Sequence, residues 1–204
     1  MVAAASAMSA AQISAVAIHD WPNERFSNQV PALAIDGDTS TFTWSTESFT
    51  TAENSLGLDF GTLYYLDQIR LWKTPDGGGG PNIKNLVIEY TSSSAALVLS
   101  ARTWVAVPNM VNGNGGVELM TATSVNSNGT VVGDVHDSNV SGWASLSFDS
   151  VLATGVRIRF STPSGGFNHY HVNEFEAFGD PVPEPSSMWL FAGAATLIAV
   201  GRRR

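Results

Sequence analysis

The central part of this sequence is a succession of short segments in which apolar and polar residues alternate, separated by turns rich in glycine and asparagine. The segments are SLGLDFG (55–61), YYLDQIRLWK (64–73), NLVIEYTSS (85–93), TWVAV (103–107), GVELMTATSV (116–125), GTVVGDV (129–135), WASLSFD (143–149), GVRIRFST (155–162) and HVNEFEAFG (171–179). Such alternation is typical of half-buried strands, and residues 13–179 contain no long stretch with the 3.6-residue period of a helix. We therefore predict an all-β fold, an antiparallel jelly-roll β-sandwich.

Composition supports a single domain with a real core. The chain is 44% hydrophobic and contains six tryptophans and ten phenylalanines, whereas only 14% of its residues are charged. The formal net charge of −8 argues against nucleic acid as a partner, because no basic stripe is present to neutralise phosphates. The absence of cysteine excludes disulfides, thiolate metal sites and a cysteine nucleophile.

The sequence ends in DPVPEPSSMWLFAGAATLIAVGRRR (180–204). From Met188 to Val200 it carries no charge, and the thirteen residues would rise about 20 Å as a helix, against about 30 Å for a bilayer core. The flanking serines and Gly201 bring the segment close to the lower limit for a span. We predict a C-terminal transmembrane helix with the arginines on the cytoplasmic side; the alternative is a buried C-terminal helix.

The order of three features in this tail resembles the PEP-CTERM sorting signal of exported bacterial proteins. They are the motif Pro183, Glu184 and Pro185, the apolar segment, and the cluster Arg202, Arg203 and Arg204. The resemblance implies processing by an exosortase, a membrane-embedded cysteine transpeptidase. It also implies export, transient anchoring in the inner membrane, and transfer to the cell surface or extracellular matrix. We divide the tail into a Pro-Glu-Pro linker (180–187) and a hydrophobic helix with an Arg-rich end (188–204), and exclude both from fold reasoning.

The N-terminal residues MVAAASAMSAAQ (1–12) are small and apolar and contain cleavage sites of the Ala-x-Ala kind. A basic region is missing and the apolar run is short for a secretory signal. We interpret residues 1–12 as a signal-peptide remnant, with a disordered N-terminus as the alternative.

The segment ALAIDGDTSTFTW (32–44) concentrates oxygen ligands. Asp36, Asp38 and Ser40 alternate, and Thr41 adds a hydroxyl, which suits a hard cation such as Ca²⁺. One alternative is an Asp-Gly turn whose carboxylates only cap backbone amides. Another is an EF-hand loop with Glu47 at its twelfth position, but its sixth position is Thr41 rather than glycine and its flanks are not helical.

Three segments in this order, the Asp-Gly-Asp loop, LGLDFGTLYYLDQIRLW and TGVRIRF…HVNEFEAFG, resemble discoidin-like domains. These are also called coagulation factor 5/8 type C or galactose-binding-like domains, and they include many bacterial carbohydrate-binding modules. The resemblance covers about residues 15–179 and implies an eight-stranded jelly roll of two antiparallel sheets with its termini close together. We place the domain at residues 13–179.

The resemblance also implies a structural cation, Ca²⁺ or alternatively Na⁺, that joins the first loop to the last strand. Its ligands would be the carboxylates of Asp36 and Glu174, oxygens of Asp38 and Thr41, and the backbone carbonyls of Leu33 and Asn173. Bridging remote segments in this way would tie the two ends of the domain together.

Carbohydrate sites of the family lie in loops at one end of the barrel, where an aromatic ring stacks on a sugar face and polar groups fix its hydroxyls. The candidates that the resemblance implies here are Trp44, Glu47, Lys73, Phe167, His169 and Tyr170. For each of them, ordinary loop or core packing is the alternative. Two positions depart from the galactose-binding pattern: Ser45 stands where relatives carry histidine, and Lys73 or Thr74 where they carry arginine.

The sequence thus predicts a noncatalytic exported surface or matrix protein that binds a polysaccharide or glycan. The alternative is a structural or adhesive surface protein that uses the same fold for protein contacts without a sugar site. We predict no catalytic residues and no enzyme activity, because nothing in the sequence places two carboxylates at the spacing a glycosidase needs.

Overall fold

The computed structural model of the chain describes residues 11–19, 30–44, 55–73, 86–94, 101–112, 124–125, 129–132, 142–160 and 171–183. The strands are β1 (Ala11–Gln12), β2 (Val16–His19), β3 (Thr43–Trp44), β4 (Ser55–Lys73), β5 (Leu86–Thr91), β6 (Val105–Ala106), β7 (Val111–Asn112), β8 (Ser124–Val125), β9 (Val131–Val132), β10 (Gly142–Phe160), β11 (His171–Val172) and β12 (Glu174–Pro181). All strand pairs are antiparallel. The predicted all-β class is confirmed, and the one helix in these ranges is a 3₁₀ turn at Pro31–Ala34.

Two strands of 19 residues each, β4 and β10, organise the main sheet. The sequence predicted two separate strands in each of these regions, and this was wrong. In β4 the backbone bends at Gly61, which adopts a left-handed φ of 73° and whose N–H donates to Asp59 Oδ1 at 2.9 Å. The register shifts there, because residues 60–63 of β4 lie between the pairs Asp59–Gly155 and Tyr64–Ala153. In β10 a second register shift lies between Ser147 and Val151.

The bends divide the main sheet into two halves. One half runs β2–β4–β10–β5–β6 and uses residues 55–59 of β4; the other runs β1–β12–β4–β10–β7 and uses residues 64–73. Both halves contribute to one buried cluster. The first supplies Leu56, Leu58, Ile88 and Ile158, and the second supplies Leu66, Ile69, Leu71 and Phe175. Strands that pass from one sheet to another around a shared core are consistent with the predicted jelly-roll sandwich.

The alternation of the sequence is reproduced in the burial of these strands. Leu66, Ile69 and Leu71 were predicted as core residues and are fully buried. In β10, Val156 and Ile158 are buried, while the guanidinium of Arg157 lies on the opposite face in an ion pair with Glu89. A one-residue slip would reverse both faces, so burial fixes the register here.

The last predicted strand (171–179) is divided at Asn173. Strand β11 pairs with β3, whereas β12 pairs with β4 and continues to Pro181. At the break, the N–H of Asn173 donates to the carbonyl of Trp72 at 3.2 Å, and its side-chain amide donates to the carbonyls of Thr39 and Thr41 at 3.1 and 2.8 Å. The break therefore ties the end of the domain to its first loop.

None of the helices in the described ranges is long and apolar enough to cross a bilayer. The predicted transmembrane helix falls within 188–204, outside those ranges, as do residues 1–10 of the predicted signal remnant 1–12. Ala11 and Gln12 of that remnant form β1, which pairs with Gly179 and Phe178 of β12. Asp180 and Pro181 of the predicted linker 180–187 likewise pair with β4, so the sheet extends beyond the predicted bounds 13–179 at both ends.

Candidate functional site

The first loop follows the 3₁₀ turn Pro31–Ala34 and reverses direction at Gly37, whose φ of 80° favours glycine. Asp36 Oδ1 accepts from the N–H of Asp38 at 2.8 Å, and Asp38 Oδ1 accepts from the N–H of Ser40 at 2.9 Å and from its hydroxyl at 2.6 Å. Both carboxylates therefore cap backbone amides, as the turn alternative predicted. These bonds hold the Asp38 carboxylate on Ser40, so the Asp38 oxygen that faces Thr41 is its main-chain carbonyl, which also accepts from the N–H of Thr41 at 3.0 Å.

The hydroxyl of Thr41 lies close to several hydrogen-bond acceptors but has only one proton to donate. Its Oγ1 lies 2.8 Å from Asp36 Oδ2, 2.9 Å from the Asp38 carbonyl oxygen and 3.4 Å from the Leu33 carbonyl oxygen. A hydroxyl has one proton, so it can donate to one of these oxygens at a time. The loop thus gathers lone pairs in excess of donors, which is the arrangement that a cation would satisfy.

Glu174, the first residue of β12, brings a second carboxyl to the same place. It is only 3% exposed, and its Oε1 has no hydrogen-bond partner. Burial raises the pKa of Glu174 to about 7, helped by a hydrogen bond to the carboxyl of Asp36 and by its charge, while the N–H of Gly37 acts in the opposite direction. A buried carboxylate oxygen without a partner beside a second carboxylate is costly unless positive charge compensates it.

The structure brings together five of the residues proposed as cation ligands, Leu33, Asp36, Asp38, Thr41 and Glu174. That they bind a cation stays a prediction. Asn173 stands next to them, but its described contribution is the amide tie to the loop, and a role for its carbonyl stays a prediction. Within the described ranges, no three aspartate, glutamate, histidine or cysteine residues cluster as metal ligands. The candidate set is therefore two carboxylates with carbonyl and hydroxyl oxygens, which fits Ca²⁺ or Na⁺ better than a transition metal.

The candidate sugar-binding side chains cannot be placed in the same way. The backbone of Trp44 pairs with His171 in the β3–β11 ladder, and Lys73 ends β4 opposite Gly142. The side chains of Trp44 and Lys73 lie outside the described part of the structure, and so do all of Glu47, Phe167, His169 and Tyr170. Their roles stay predictions, and so does the EF-hand alternative that depends on Glu47.

An arginine–aromatic cluster on the second sheet half was missed by sequence reasoning. The guanidinium of Arg70 lies 4.4 Å from the ring centre of Trp143 and 4.7 Å from that of Phe178, and its Nε donates to Glu176 at 3.0 Å. Trp143 also meets Trp72 edge to face, with ring centres 5.3 Å apart. Cross-strand pairing places these residues together, a signal the sequence carries only once the register is known. Because the guanidinium covers the ring faces, the cluster stabilises the sheet.

The described part of the chain is an antiparallel, β-sandwich-like domain in which a cluster of oxygen atoms joins the first loop to the last strand. A family model described as a NedA-like, galactose-binding domain of the F5/F8 type C group matches residues 33–158. The chain belongs to this family. A PEP-CTERM protein-sorting motif matches residues 181–204, so both predicted resemblances are confirmed.

Solved structures share this fold at low sequence identity. Chitosan-binding module 1 of a chitosanase/glucanase from Paenibacillus sp. IK-5 superposes with a TM-score of 0.54 at 14% identity, covering 82% of this chain and 96% of that one. Module 2 of the same enzyme, in complex with chitotriose, gives 0.53 at 12% identity and covers 82% and 98%. A family 89 glycoside hydrolase from Clostridium perfringens gives 0.50 at 19% identity, covering 85% of this chain but 15% of that one. No curated protein matches the chain in sequence.

Proposed function

We propose that this chain is a noncatalytic, exported surface or matrix protein whose discoidin-like domain binds a polysaccharide or glycan. The observation that carries the proposal is the pairing of a galactose-binding-like domain with a PEP-CTERM sorting motif in one chain. The first is described as a galactose-binding domain, and the second is a signal for protein sorting. We infer from the pair that the protein is exported and binds a ligand outside the cell.

Glycan as the partner is supported by the family and by the carbohydrate-binding modules that share the fold, one of them in complex with chitotriose. The candidate contacts are the loop residues Trp44, Glu47, Lys73, Phe167, His169 and Tyr170. An aromatic ring on a sugar face, flanked by polar groups, is the chemistry that these residue types offer.

We propose in addition that Ca²⁺, or Na⁺ in its place, is held by the carboxylates of Asp36 and Glu174, by the hydroxyl of Thr41, and by the carbonyls of Leu33 and Asp38. The support is the excess of acceptors around Thr41 and the unpartnered, buried Oε1 of Glu174. The ion would supply positive charge between two carboxylates. Its role would be structural, because these residues join the first loop to β12.

The tail residues 183–204 would serve as the exosortase signal and as a temporary anchor in the inner membrane, before transfer to the surface or matrix. The support is the match to the sorting motif over residues 181–204 and the uncharged run between Met188 and Val200.

A glycan array probed with the full chain in mild detergent tests the main proposal. Saturable binding to a polysaccharide, lost when Phe167 and Tyr170 are replaced by alanine, would support it. Binding to no glycan at any cation concentration would overturn it in favour of the structural or adhesive alternative. The departures from the galactose-binding pattern at Ser45 and at Lys73 or Thr74 favour that alternative.

A further inference from the structure

Hydrogen bonds to β4 and to Leu63 fix the backbone as far as Val182, the residue before the sorting motif. Strand β12 pairs with β4 to its last residue, with Pro181 opposite Tyr64, and the N–H of Val182 then donates to the carbonyl of Leu63 at 3.2 Å. Pro183, which opens the motif, follows at once and is exposed. The place where the tail leaves the domain is therefore fixed by hydrogen bonds and is not set by a flexible linker.

Three exposed apolar side chains lie at this place, and we call them the tail-exit patch: Leu63, Tyr65 and Leu152. Their exposed fractions are 37%, 45% and 45%. Tyr65 pairs directly with Leu152 on β10 and with Asp180 on β12, so the patch adjoins the final strand. Single exposed apolar residues are ordinary, but a group of three beside the exit of an apolar tail is a candidate contact surface.

We propose that the tail-exit patch rests on the lipid bilayer while the tail is inserted in it. The proposal rests on the proposed membrane insertion of the tail. Between the last backbone bond of the domain, at Val182, and the apolar run that begins at Met188 stand five residues, 183–187. Fully extended, five residues reach at most about 18 Å. The domain must then lie close to the membrane, with the end carrying the patch turned towards it.

The chemistry of the patch selects the lipid surface it fits. Leucine and tyrosine side chains favour the boundary between headgroups and acyl chains. Two carboxyls flank the patch, since Asp180 lies opposite Tyr65 and Asp67 follows Tyr65 by two residues on β4. An anionic surface would repel them, so we expect contact through apolar groups with a bilayer of neutral headgroups and no gain from anionic lipid.

The absence of native cysteine allows a direct test by single-cysteine labelling of the full chain. The variants are Leu152→Cys in the patch, Val105→Cys as the control, and Ala194→Cys in the tail. Val105 is matched to Leu152 in kind and exposure, at 48%, but lies on β6 of the other sheet half. Each variant carries an environment-sensitive fluorophore and is reconstituted in phosphatidylcholine vesicles that contain a lipid with a quencher near the headgroup.

We expect several-fold more quenching at position 152 than at 105, and less at 152 when Tyr65→Ser is added. Quenching in the tail at 194 with equal, weak quenching at 152 and 105 would overturn the patch while leaving the anchor intact. No quenching at 194 would overturn the membrane role of the tail, and the patch proposal with it. The fluorophore at 152 could also be shielded from water without lipid, to a degree that grows with protein concentration. That result would assign the patch to contact with a second copy of the chain and would overturn the proposal.

Discussion

The carboxyl of Glu174, at the start of the last strand, lies against the carboxyl of Asp36 in the first loop. Two acidic groups so far apart in sequence meet because Asn173 bonds the loop carbonyls and so fixes where β12 begins. The contact is unfavourable when both groups are charged, and Glu174 is buried as well. The stability of the domain should therefore depend on whatever neutralises this pair.

Removal of the cation should destabilise the protein. An ion that binds only the native state contributes about 2.7 kcal/mol at a hundredfold excess over its Kd, which corresponds to a fall of several degrees in Tm on chelation. Added Ca²⁺ should restore the Tm, as measured by calorimetry. Asp36→Ala should abolish the response, and Asp180→Ala, which removes an exposed acid elsewhere, should not.

Glu174→Gln tests the bridge itself, because it keeps the shape of the side chain and removes its charge. We expect this variant to be insensitive to Ca²⁺. A full Ca²⁺ response in Glu174→Gln would contradict the joining of loop and strand by one ion. A Tm of the parent protein that ignores both chelator and Ca²⁺ but rises with Na⁺ would assign the site to sodium.

Without the cation, the contribution of Glu174 to the stability should fall as the pH rises. The pKa of Glu174 is raised to about 7, above its ordinary value of 4.5, so the folded state holds a proton that the unfolded state releases. The contribution of this group is complete below pH 4.5 and is lost as the pH rises through 7. In chelator, the difference in Tm between the parent and Glu174→Gln should widen from pH 5 to pH 8. A difference that does not change with pH would show that Glu174 is not the group that titrates.

The gain from Ca²⁺ should follow the opposite course, because protons compete with the ion for the same carboxylate. We expect a larger Ca²⁺-induced rise in Tm at pH 8 than at pH 5.

The strands were predictable from sequence where alternation was clean, as in β4 around Ile69 and in β10 around Ile158. Their continuity was not predictable, because Gly61 and the register shifts in β10 look like turns in a sequence but act as bends within a ladder. The break at Asn173 was missed as well. The sequence interrupts its alternation there, since polar Asn173 is followed by polar Glu174, but the hydrogen bond from the Asn173 amide to the first loop becomes visible only in the structure.

The candidate cation residues were predictable as a set from the family resemblance. Which atoms of each residue are engaged in other hydrogen bonds was not predictable. Sequence cannot show that the carboxylate of Asp38 is held by Ser40, or that the Oε1 of Glu174 is buried without a partner. The arginine–aromatic cluster at Arg70 needed the pairing of three strands, which no single segment encodes.

The bend of β4 should depend on a buried ion pair. Arg102 Nη2 lies 2.5 Å from Asp59 Oδ2, and the two side chains are 4% and 14% exposed. Asp59 Oδ1 also accepts a hydrogen bond from the N–H of Gly61. Asp59→Asn should lower the free energy of unfolding by about 3 kcal/mol, because it leaves a buried guanidinium without its carboxylate. Glu176→Gln, which breaks the more exposed pair with Arg70, should cost about 1 kcal/mol or less. Equal losses in urea denaturation would contradict this ranking.

Glycan binding should depend on loop aromatics and not on the fold. Phe167→Ala or Tyr170→Ala should weaken retention on a polysaccharide column by about tenfold, or ~1.4 kcal/mol, with little change in Tm. Tyr65→Ser, which removes an exposed aromatic away from these loops, is the control and should retain full binding. Unchanged retention in both loop variants would direct attention to Trp44 and Lys73.

The sorting motif should act as a processing signal that is independent of the domain. Replacement of Pro183, Glu184 and Pro185 by alanine should leave the protein unprocessed and retained in the membrane fraction of a host that has an exosortase. The fold should survive, because β12 ends at Pro181 and the last described backbone bond is made by Val182. Mass spectrometry and fractionation of cells measure both effects, and the Tm of the purified variant checks the domain.

Replacement of the neighbouring Ser186 and Ser187 by alanine is the control, which should be processed normally. Identical mass and fractionation for the parent protein and the motif variant would contradict the proposed role of the tail.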